Sequence, residues 1–214
     1  MSNKFLTYIL LFTCFGIIVY GLISMTGGMG KRSSIPGGTP APIQKKASGS
    51  EVRDIDGYNT VINFNYTYDI DALVLSAHSY SGSSVGDKLS PKDLALGWGT
   101  VAEHNKDVNI SWSQSGRWYH WSCKSIDELA PVGGENGVIT QSANTHLIPK
   151  DDTIKKIVKK IKTGDHVKLK GYLVSIEGKK ADGSTFTWNS STTREDTGDG
   201  SCEVMYVTNV EIVK

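Results

Sequence analysis

The aromatic residues of the chain concentrate in the segment from Ile110 to Cys123, which reads ISWSQSGRWYHWSC. Three of the five tryptophans lie in this segment. If residues 117–123 form a strand, Trp118 and His120 share one face, because side chains alternate between the two faces of a strand. An exposed face of rings beside a guanidinium can stack on sugar rings, on bases or on a partner protein. The predicted binding residues are Arg117, Trp118, Tyr119 and His120, with Trp98 and Trp188 as further candidates.

The same segment also has a purely structural interpretation. Tyr119 and Trp121 point away from Trp118 and His120 in such a strand, so both of its faces are bulky. A small barrel needs large side chains to fill its interior. The residues alone therefore leave two alternatives open, an aromatic platform for a ligand and a strand that is covered on both sides.

A nucleophilic site can be composed from Ser142, His146 and one of two aspartates, Asp196 or Asp199. Hydrolysis of this kind needs a hydroxyl, a histidine within hydrogen-bond reach and a carboxylate that orients the ring. The chain lacks the G-x-S-x-G turn that presents the serine in many hydrolases. Hydrolysis is therefore an alternative function, and no catalytic residue is assigned.

Four residues have the chemistry of metal ligands, namely His120, Cys123, His146 and Cys202. Their spacing matches no zinc signature, because the chain has neither C-x-x-C nor H-x-x-x-H. We therefore predict no metal site and no cofactor. The acidic loop 194–200 does not fit a calcium-binding loop and is interpreted as a turn. Whether Cys123 and Cys202 form a disulfide stays open.

Strands dominate the chain beyond residue 50. Apolar and polar residues alternate strictly from Ile62 to Ile70, and a phase reversal after Asp71 predicts a bulge there. Further alternating runs extend from Val167 to Ile176, with a bend predicted at Gly171, and from Ser201 to Val213. Bent strands are what a small closed barrel requires. The predicted fold class is mainly β (α+β), a small OB-like or related β-barrel with one or two helices, preceded by one transmembrane helix.

Two helices are predicted between these strands. Ser90 followed by Pro91 is typical of a helix start, which predicts a helix from there to about Leu96, or one that restarts across residues 97–99 and runs to His104. Asp151 or Asp152 caps the second helix, whose apolar residues Ile154, Ile157, Val158 and Ile161 follow helical spacing. The lysines of its other face are interpreted as a solvated surface rather than a lipid-binding or nucleic-acid-binding one.

The segment from Phe5 to Met25 contains no charged residue. A helix of this length reaches about 30 Å, the thickness of a bilayer's hydrocarbon core. No signal-peptide cleavage site is evident after it. We therefore predict a transmembrane anchor at 1–26, a flexible Gly/Pro/Ser linker at 27–50 and a β-rich domain at 51–214. The expected location is the inner (plasma) membrane, single-pass, with the domain periplasmic or extracytoplasmic.

The net charge is +1, with 23 basic and 22 acidic residues. Proteins that bind nucleic acid usually carry a strongly basic surface, so nucleic acid is not the expected partner. A cytoplasmic, OB-like domain that binds single strands is kept as an alternative, because the lysines and arginines flanking the apolar segment also permit a cytoplasmic orientation.

Five motifs together resemble an uncharacterised group of bacterial single-pass membrane-anchored proteins. They are SPKDLALGWG (90–99), ISWSQSGRWYHW (110–121), SANTHLIP (142–149), GDHVKLKGYLV (164–174) and DTGDGSCEV (196–204). The resemblance implies a bacterial origin and one anchored domain, and it transfers no mechanism. GDHVKLKGYLV also looks like the first bent strand of an OB-like barrel. The function predicted from these observations is a non-catalytic binding or assembly module that contacts membrane lipid through its anchor and a protein or saccharide through its domain.

Overall fold

The computed structural model describes residues 32–193 and 201–213. In chain order the strands are β1 (Ile43–Lys46), β2 (Ser50–Ile55), β3 (Tyr58–Ser79), β4 (Lys92–Gly97), β5 (Ser111–Ser115), β6 (Trp118–Ser122), β7 (Ser142–Pro149), β8 (His166–Lys179), β9 (Thr185–Asn189) and β10 (Glu203–Val213). The helices are α1 (Val85–Leu89), α2 (Gly99–His104), α3 (Gly134–Thr140) and α4 (Asp152–Val158), with a 3₁₀ helix at Ile126–Val132.

The main sheet is partly closed on itself. Its pairing runs from β3 through β4, β7, β10 and β8 and returns to β3. Strands β7 and β10 are parallel, and the other pairs of this path are antiparallel. Strand β8 pairs with β10 along its first half and with β9 along its second half. The prediction of a mainly β protein with helices is therefore confirmed, and the sheet is closed at one end and open at the other.

Three apolar clusters hold the sheet together. The first lies inside the closed path around Tyr68, Leu94 and Leu169. The second lies on the outer face of β3 and β4 and is covered by α2, the 3₁₀ helix and the β5–β6 hairpin. The third lies at the open end, where Ile62, Val174 and Val204 are in the core and Phe186 and Trp188 pack against it. The three clusters support both faces of the long strand β3.

The bulge predicted at Asp71 is absent. The pairing of β3 with β8 runs without a shift from Tyr66 to Leu73. Alternation is lost there because β3 becomes covered on both faces, with Ala72 and Val74 in the first cluster and Leu73 in the second. The register shifts of β3 lie elsewhere, between Phe64 and Tyr66 and between Val74 and Ser76.

Gly171 marks a close contact between two strands. A Cβ at this position would lie 1.9 Å from the backbone oxygen of Tyr206, so no other residue fits without moving β10. The neighbouring register shift falls between Val207 and Asn209, opposite Gly171 and Lys170. The irregularity predicted at this glycine is thus present, but the extra residue belongs to the partner strand.

The helix predicted from Pro91 to Leu96 is also wrong, although the predicted restart that runs to His104 is present as α2, Gly99–His104. Residues 92–97 form β4, in which every residue is buried, and a strand buried on both faces shows no alternation. Ser90 is the C-terminal cap residue of α1 instead of an N-terminal cap. The second predicted helix is confirmed as α4, whose cap Asp151 accepts a hydrogen bond of 2.9 Å from the Ile154 N–H.

The described part of the predicted linker belongs to the domain. Strand β1 pairs with β3, and the Ile35 N–H donates to the Ala102 oxygen at 2.8 Å. These contacts use backbone groups, which every residue type carries, so the composition of the segment does not reveal them. The predicted anchor falls in residues 1–31, outside the described residues. Among the residues that are described, no helix is long and apolar enough to span a bilayer.

Candidate ligand-binding cavity

A tight turn places Arg117 at the tip of the β5–β6 hairpin. Gly116 and Arg117 have φ angles of 58° and 74°, as a two-residue hairpin turn of type I′ requires. Such an angle is rare for a long side chain. The strain is offset by hydrogen bonds to the Arg117 backbone, whose N–H donates to the Tyr80 hydroxyl at 3.1 Å and whose oxygen accepts from the Asn144 amide at 2.8 Å.

The Arg117 guanidinium is bound by two carboxylates and a ring. One terminal nitrogen donates to Oδ1 of Asp93 at 2.8 Å and to the Ser90 oxygen at 2.9 Å. The other forms a hydrogen-bonded ion pair with Asp87. The guanidinium carbon lies 3.5 Å from the centre of the Tyr80 ring, a cation–π contact. Arg117 thereby connects the hairpin to α1 and to β4.

Asp93 and His146 form a buried pair below this arginine. The Asp93 side chain is 0% exposed and His146 is 3% exposed. Oδ2 of Asp93 lies 3.0 Å from Nδ1 of His146, although the two atoms are not aligned as a hydrogen bond. The His146 ring also packs on Trp188, with ring centres 4.7 Å apart. Asp93 therefore contacts both Arg117 and His146 from the middle of a buried strand.

These groups border a cavity of about 870 Å³ at the open end of the sheet. We call it the Trp188 cavity. Its lining comes from the loop after β3, from α1, from the hairpin tip, from β7, from β9 and from the start of β10. The lining residues are Tyr80, Ser84, Val85, Gly86, Asp87, Gly116, Arg117, Trp118, His146, Phe186, Thr187, Trp188, Asn189 and Cys202. Its size is typical of ligand sites, which span about 300–1,000 Å³.

The charges at the cavity offset one another. Burial alone would raise the pKa of Asp87, but hydrogen bonds from Ser84 and Arg117 and the arginine charge outweigh burial and lower it. Ionised Asp87 thus adds stability that is present above its unfolded pKa and lost as the pH falls through the lower folded value. Burial, together with the charge of Asp93, raises the pKa of Tyr80 to about 12. Tyr80 is therefore neutral at physiological pH.

The structure brings three of the six predicted binding residues together. Arg117, Trp118 and Trp188 all line the cavity. Trp118 is 36% exposed at its rim.

The other three predicted residues lie outside that lining. Tyr119 packs against the second cluster and its hydroxyl lies 3.2 Å from Ser142 Oγ. His120 is exposed on β6, on the same face as Trp118. Trp98 is 3% exposed in the first cluster, so its ring serves core packing. The predicted alternation of the strand is confirmed, since Tyr119 and Trp121 are half-buried while Trp118 and His120 are exposed. The strand is therefore covered on one face and not on both, and a ligand on its exposed face stays a prediction.

The residues proposed for a serine nucleophile do not meet. Ser142 and His146 lie four positions apart on β7, which corresponds to about 13 Å along a strand. The Ser142 hydroxyl donates to the Val138 oxygen at 2.7 Å. Asp196 and Asp199 fall outside the described residues. The carboxylate beside His146 is that of Asp93, which no local sequence pattern had indicated.

The cysteines and histidines form no metal cluster among the described residues. Cys123 packs against the second cluster, whereas Cys202 lines the Trp188 cavity with its sulfur 3.4 Å from the Asn144 amide. The two cysteines do not form a disulfide bond.

Several cavity residues were missed from the sequence. Tyr80, Asp87, Asp93 and Phe186 belong to different elements, and only the folded chain brings them to one place. Asp93 stands beside Lys92 at the start of KDLALG, and nothing in that local pattern separates a buried carboxylate from an exposed one.

No protein-family model matches the chain, and neither a curated protein nor a solved structure matches it. Function must therefore be inferred from the cavity itself.

Replacing Arg117 with glycine tests how much the cavity depends on this arginine. Arg117→Gly relieves a strained φ angle, worth about 1 kcal/mol, but leaves the buried Asp93 carboxylate without its cation, a loss of about 3–5 kcal/mol. We expect the free energy of unfolding in urea to fall by about 2–4 kcal/mol.

Two further variants make this experiment specific. Adding Asp93→Asn to Arg117→Gly should recover part of the loss, because a neutral amide needs no cation. Lys168→Ala, which removes an exposed ion pair with Asp71, should change the free energy by less than about 0.5 kcal/mol. Equal effects of Arg117→Gly and Lys168→Ala would contradict the assigned role.

Proposed function

We propose that this protein is a membrane-anchored, non-catalytic binding module whose ligand occupies the Trp188 cavity. The observation that carries the proposal is a concave, ring-lined space of about 870 Å³ at the one end where the sheet is open. Ligand sites combine an apolar, aromatic lining with a few polar groups that fix orientation. Trp118, Trp188 and Phe186 supply the rings, and His146 and Asn189 supply polar groups.

The topology supports an OB-like barrel as the scaffold. The closed path has five strands, and α4 lies between its third and fourth strands, β7 and β8. OB-fold proteins bind ligands on one face of such a barrel, between the loops that follow its first and fourth strands. In this chain those loops are residues 80–91 and 180–202, and both contribute to the Trp188 cavity.

The charge balance favours an uncharged ligand. Arg117 is the cation in the lining, and it is already bound to Asp87 and Asp93. A groove for single-stranded nucleic acid needs cations that track the phosphates, so this alternative is not favoured. A neutral segment of a partner protein or a neutral saccharide suits the rings better.

Ligand binding in the cavity should depend on the Trp188 ring. We expect Trp188→Ala to lose ligand binding at least about tenfold, because the indole forms both the wall and the stacking surface above His146. Binding is measured by tryptophan fluorescence against a random peptide library and a panel of neutral oligosaccharides. The matched control is Trp112→Phe, because Trp112 lies on β5, stacks on Tyr119 and is not part of the cavity lining. A ligand lost equally in both variants would argue against the cavity.

The proposed anchor lies in residues 1–26 and is tested on the full chain. Alkaline carbonate should leave the intact protein in the membrane fraction, because about 20 apolar residues are enough to span a bilayer. Removing residues 1–26 should release the domain into the soluble fraction. A reporter fused after Lys214 then identifies the compartment, which we propose to be extracytoplasmic. Release of the intact chain by carbonate would refute the anchor.

A second candidate function is hydrolysis, with Cys202 in place of Ser142 as nucleophile. The observation that favours it is that Cys202 and His146 line one cavity while Asp93 lies behind the histidine. In that chemistry His146 takes the proton of the Cys202 thiol, and the thiolate attacks a carbonyl carbon of the substrate. His146 then gives the proton to the leaving group, and water hydrolyses the acyl–cysteine bond to release the acid and the thiol.

Alkylation by iodoacetamide separates this candidate from simple binding. The reagent forms a sulfur–carbon bond and releases iodide, and its rate follows the thiolate fraction. An activated Cys202 should react faster than Cys123, and His146→Ala should slow it at least about tenfold. Unchanged alkylation of Cys202 in His146→Ala would exclude the activated thiol.

A further inference from the structure

We infer that the ligand of the Trp188 cavity is an extended, uncharged peptide segment of a partner protein, which adds as a strand to the outer edge of β9. This inference rests on the proposed binding function and specifies its ligand. Among the described residues, β9 pairs only with β8. Its second edge borders the cavity.

The hydrogen-bond phase of β9 determines which residues face that edge. The Lys180 N–H donates to the Ser184 oxygen at one end of the β8–β9 pair, and the Ser190 N–H donates to the Val174 oxygen at the other, both at 2.9 Å. In an antiparallel ladder every second residue pair exchanges hydrogen bonds. Phe186 and Trp188 therefore bond to β8.

The intervening residues point their backbone groups away from β8. These residues are Thr185, Thr187 and Asn189, opposite Lys179, Glu177 and Ser175. Thr187 and Asn189 line the Trp188 cavity, whereas Thr185 lies outside its lining. The cavity thus offers two N–H donors and two carbonyl acceptors at the spacing of an added strand.

The composition of β9 differs from that of the sheet's other edges. Proteins protect exposed edges with charged residues or proline against pairing with other chains. Strand β1 reads IQKK and β2 reads SEVRDI, so both carry charges. Strand β9 reads TFTWN, without charge or proline and with high β-propensity. The edge beside the cavity is the one built to accept a strand.

The opposite wall restricts the peptide's side chains. The lining beside β9 comes from α1 and the hairpin tip, where Trp118 is 36% exposed. Among the described residues that line the cavity, the charged ones are Asp87 and Arg117, and they are bound to each other. We therefore expect alternate peptide residues to be apolar or aromatic and to pack against Trp118 and Trp188.

Proline substitution tests strand addition directly. The Thr187 N–H makes no bond to β8, so Thr187→Pro removes only the donor that faces the cavity, and proline is tolerated at such edge positions. Thr185→Pro is the matched control, since Thr185 has the same phase outside the cavity. Circular dichroism and urea unfolding establish that both variants are folded.

The probe is a random twelve-residue peptide library displayed on phage and selected on the full chain in detergent. We expect selected peptides to alternate apolar and polar residues, to lose at least about tenfold in affinity with Thr187→Pro, and to keep it with Thr185→Pro. N-methylation of the peptide should abolish binding at one set of alternate positions and not at the other.

Each other outcome overturns strand addition. Peptides that depend on Trp188 but not on Thr187 would leave the cavity as a binding site and refute the added strand. Selection of no peptide, with a neutral oligosaccharide bound instead, would leave the proposed function intact and refute the peptide. Self-association of the chain that Thr187→Pro abolishes would identify a second copy as the occupant.

Discussion

The buried carboxylate of Asp93 is the constraint on which the candidate site depends. It lies in β4, a strand whose residues are all buried, where an uncompensated charge would cost several kcal/mol. Arg117 supplies the compensation from the β5–β6 hairpin, distant in sequence. Arg117 has a φ angle of 74° at the hairpin tip, and its ion pair with Asp93 holds that tip against β4. The ion pair between buried Asp93 and Arg117 thereby positions the tip of the β5–β6 hairpin.

That ion pair also shapes the space beside it. Arg117 binds Asp87 as well, so α1 is held on one side of the cavity and the hairpin on another. Behind Asp93, His146 supports the ring of Trp188 and with it the end of β9. The hydrogen bonds and ion pairs of Arg117 join α1, β4 and the hairpin, and a charge contact and a ring contact extend this set to His146 and Trp188. Loss of the Asp93 carboxylate would therefore remove contacts to both the hairpin tip and β7.

The sequence allowed the elements with one buried face to be predicted, and it failed where both faces are buried. Alternation located parts of β3, β8 and β10, and helical spacing with an aspartate cap located α4. The run KDLALG was taken for a helix because a fully covered strand has no period. Arg117, Trp118 and Trp188 were identified because rings and a guanidinium are visible in sequence. Asp93 and His146 were not identified as a pair, because β4 and β7 become neighbours only through non-local pairing.

The chemistry of the candidate site depends on the ion pairs that Arg117 forms with Asp87 and Asp93. Arg117 is bound to two carboxylates, so among the described lining residues the proposed recognition relies on ring surfaces and backbone groups. Strand β9 supplies both, since Phe186 and Trp188 alternate with Thr187 and Asn189, whose backbone groups face outward. Backbone bonding gives affinity without sequence specificity, and side-chain packing then selects among peptides. The proposed peptide site therefore needs two features side by side. One is a strand edge whose backbone groups bond to the peptide, and the other is a ring-lined groove that contacts the peptide side chains.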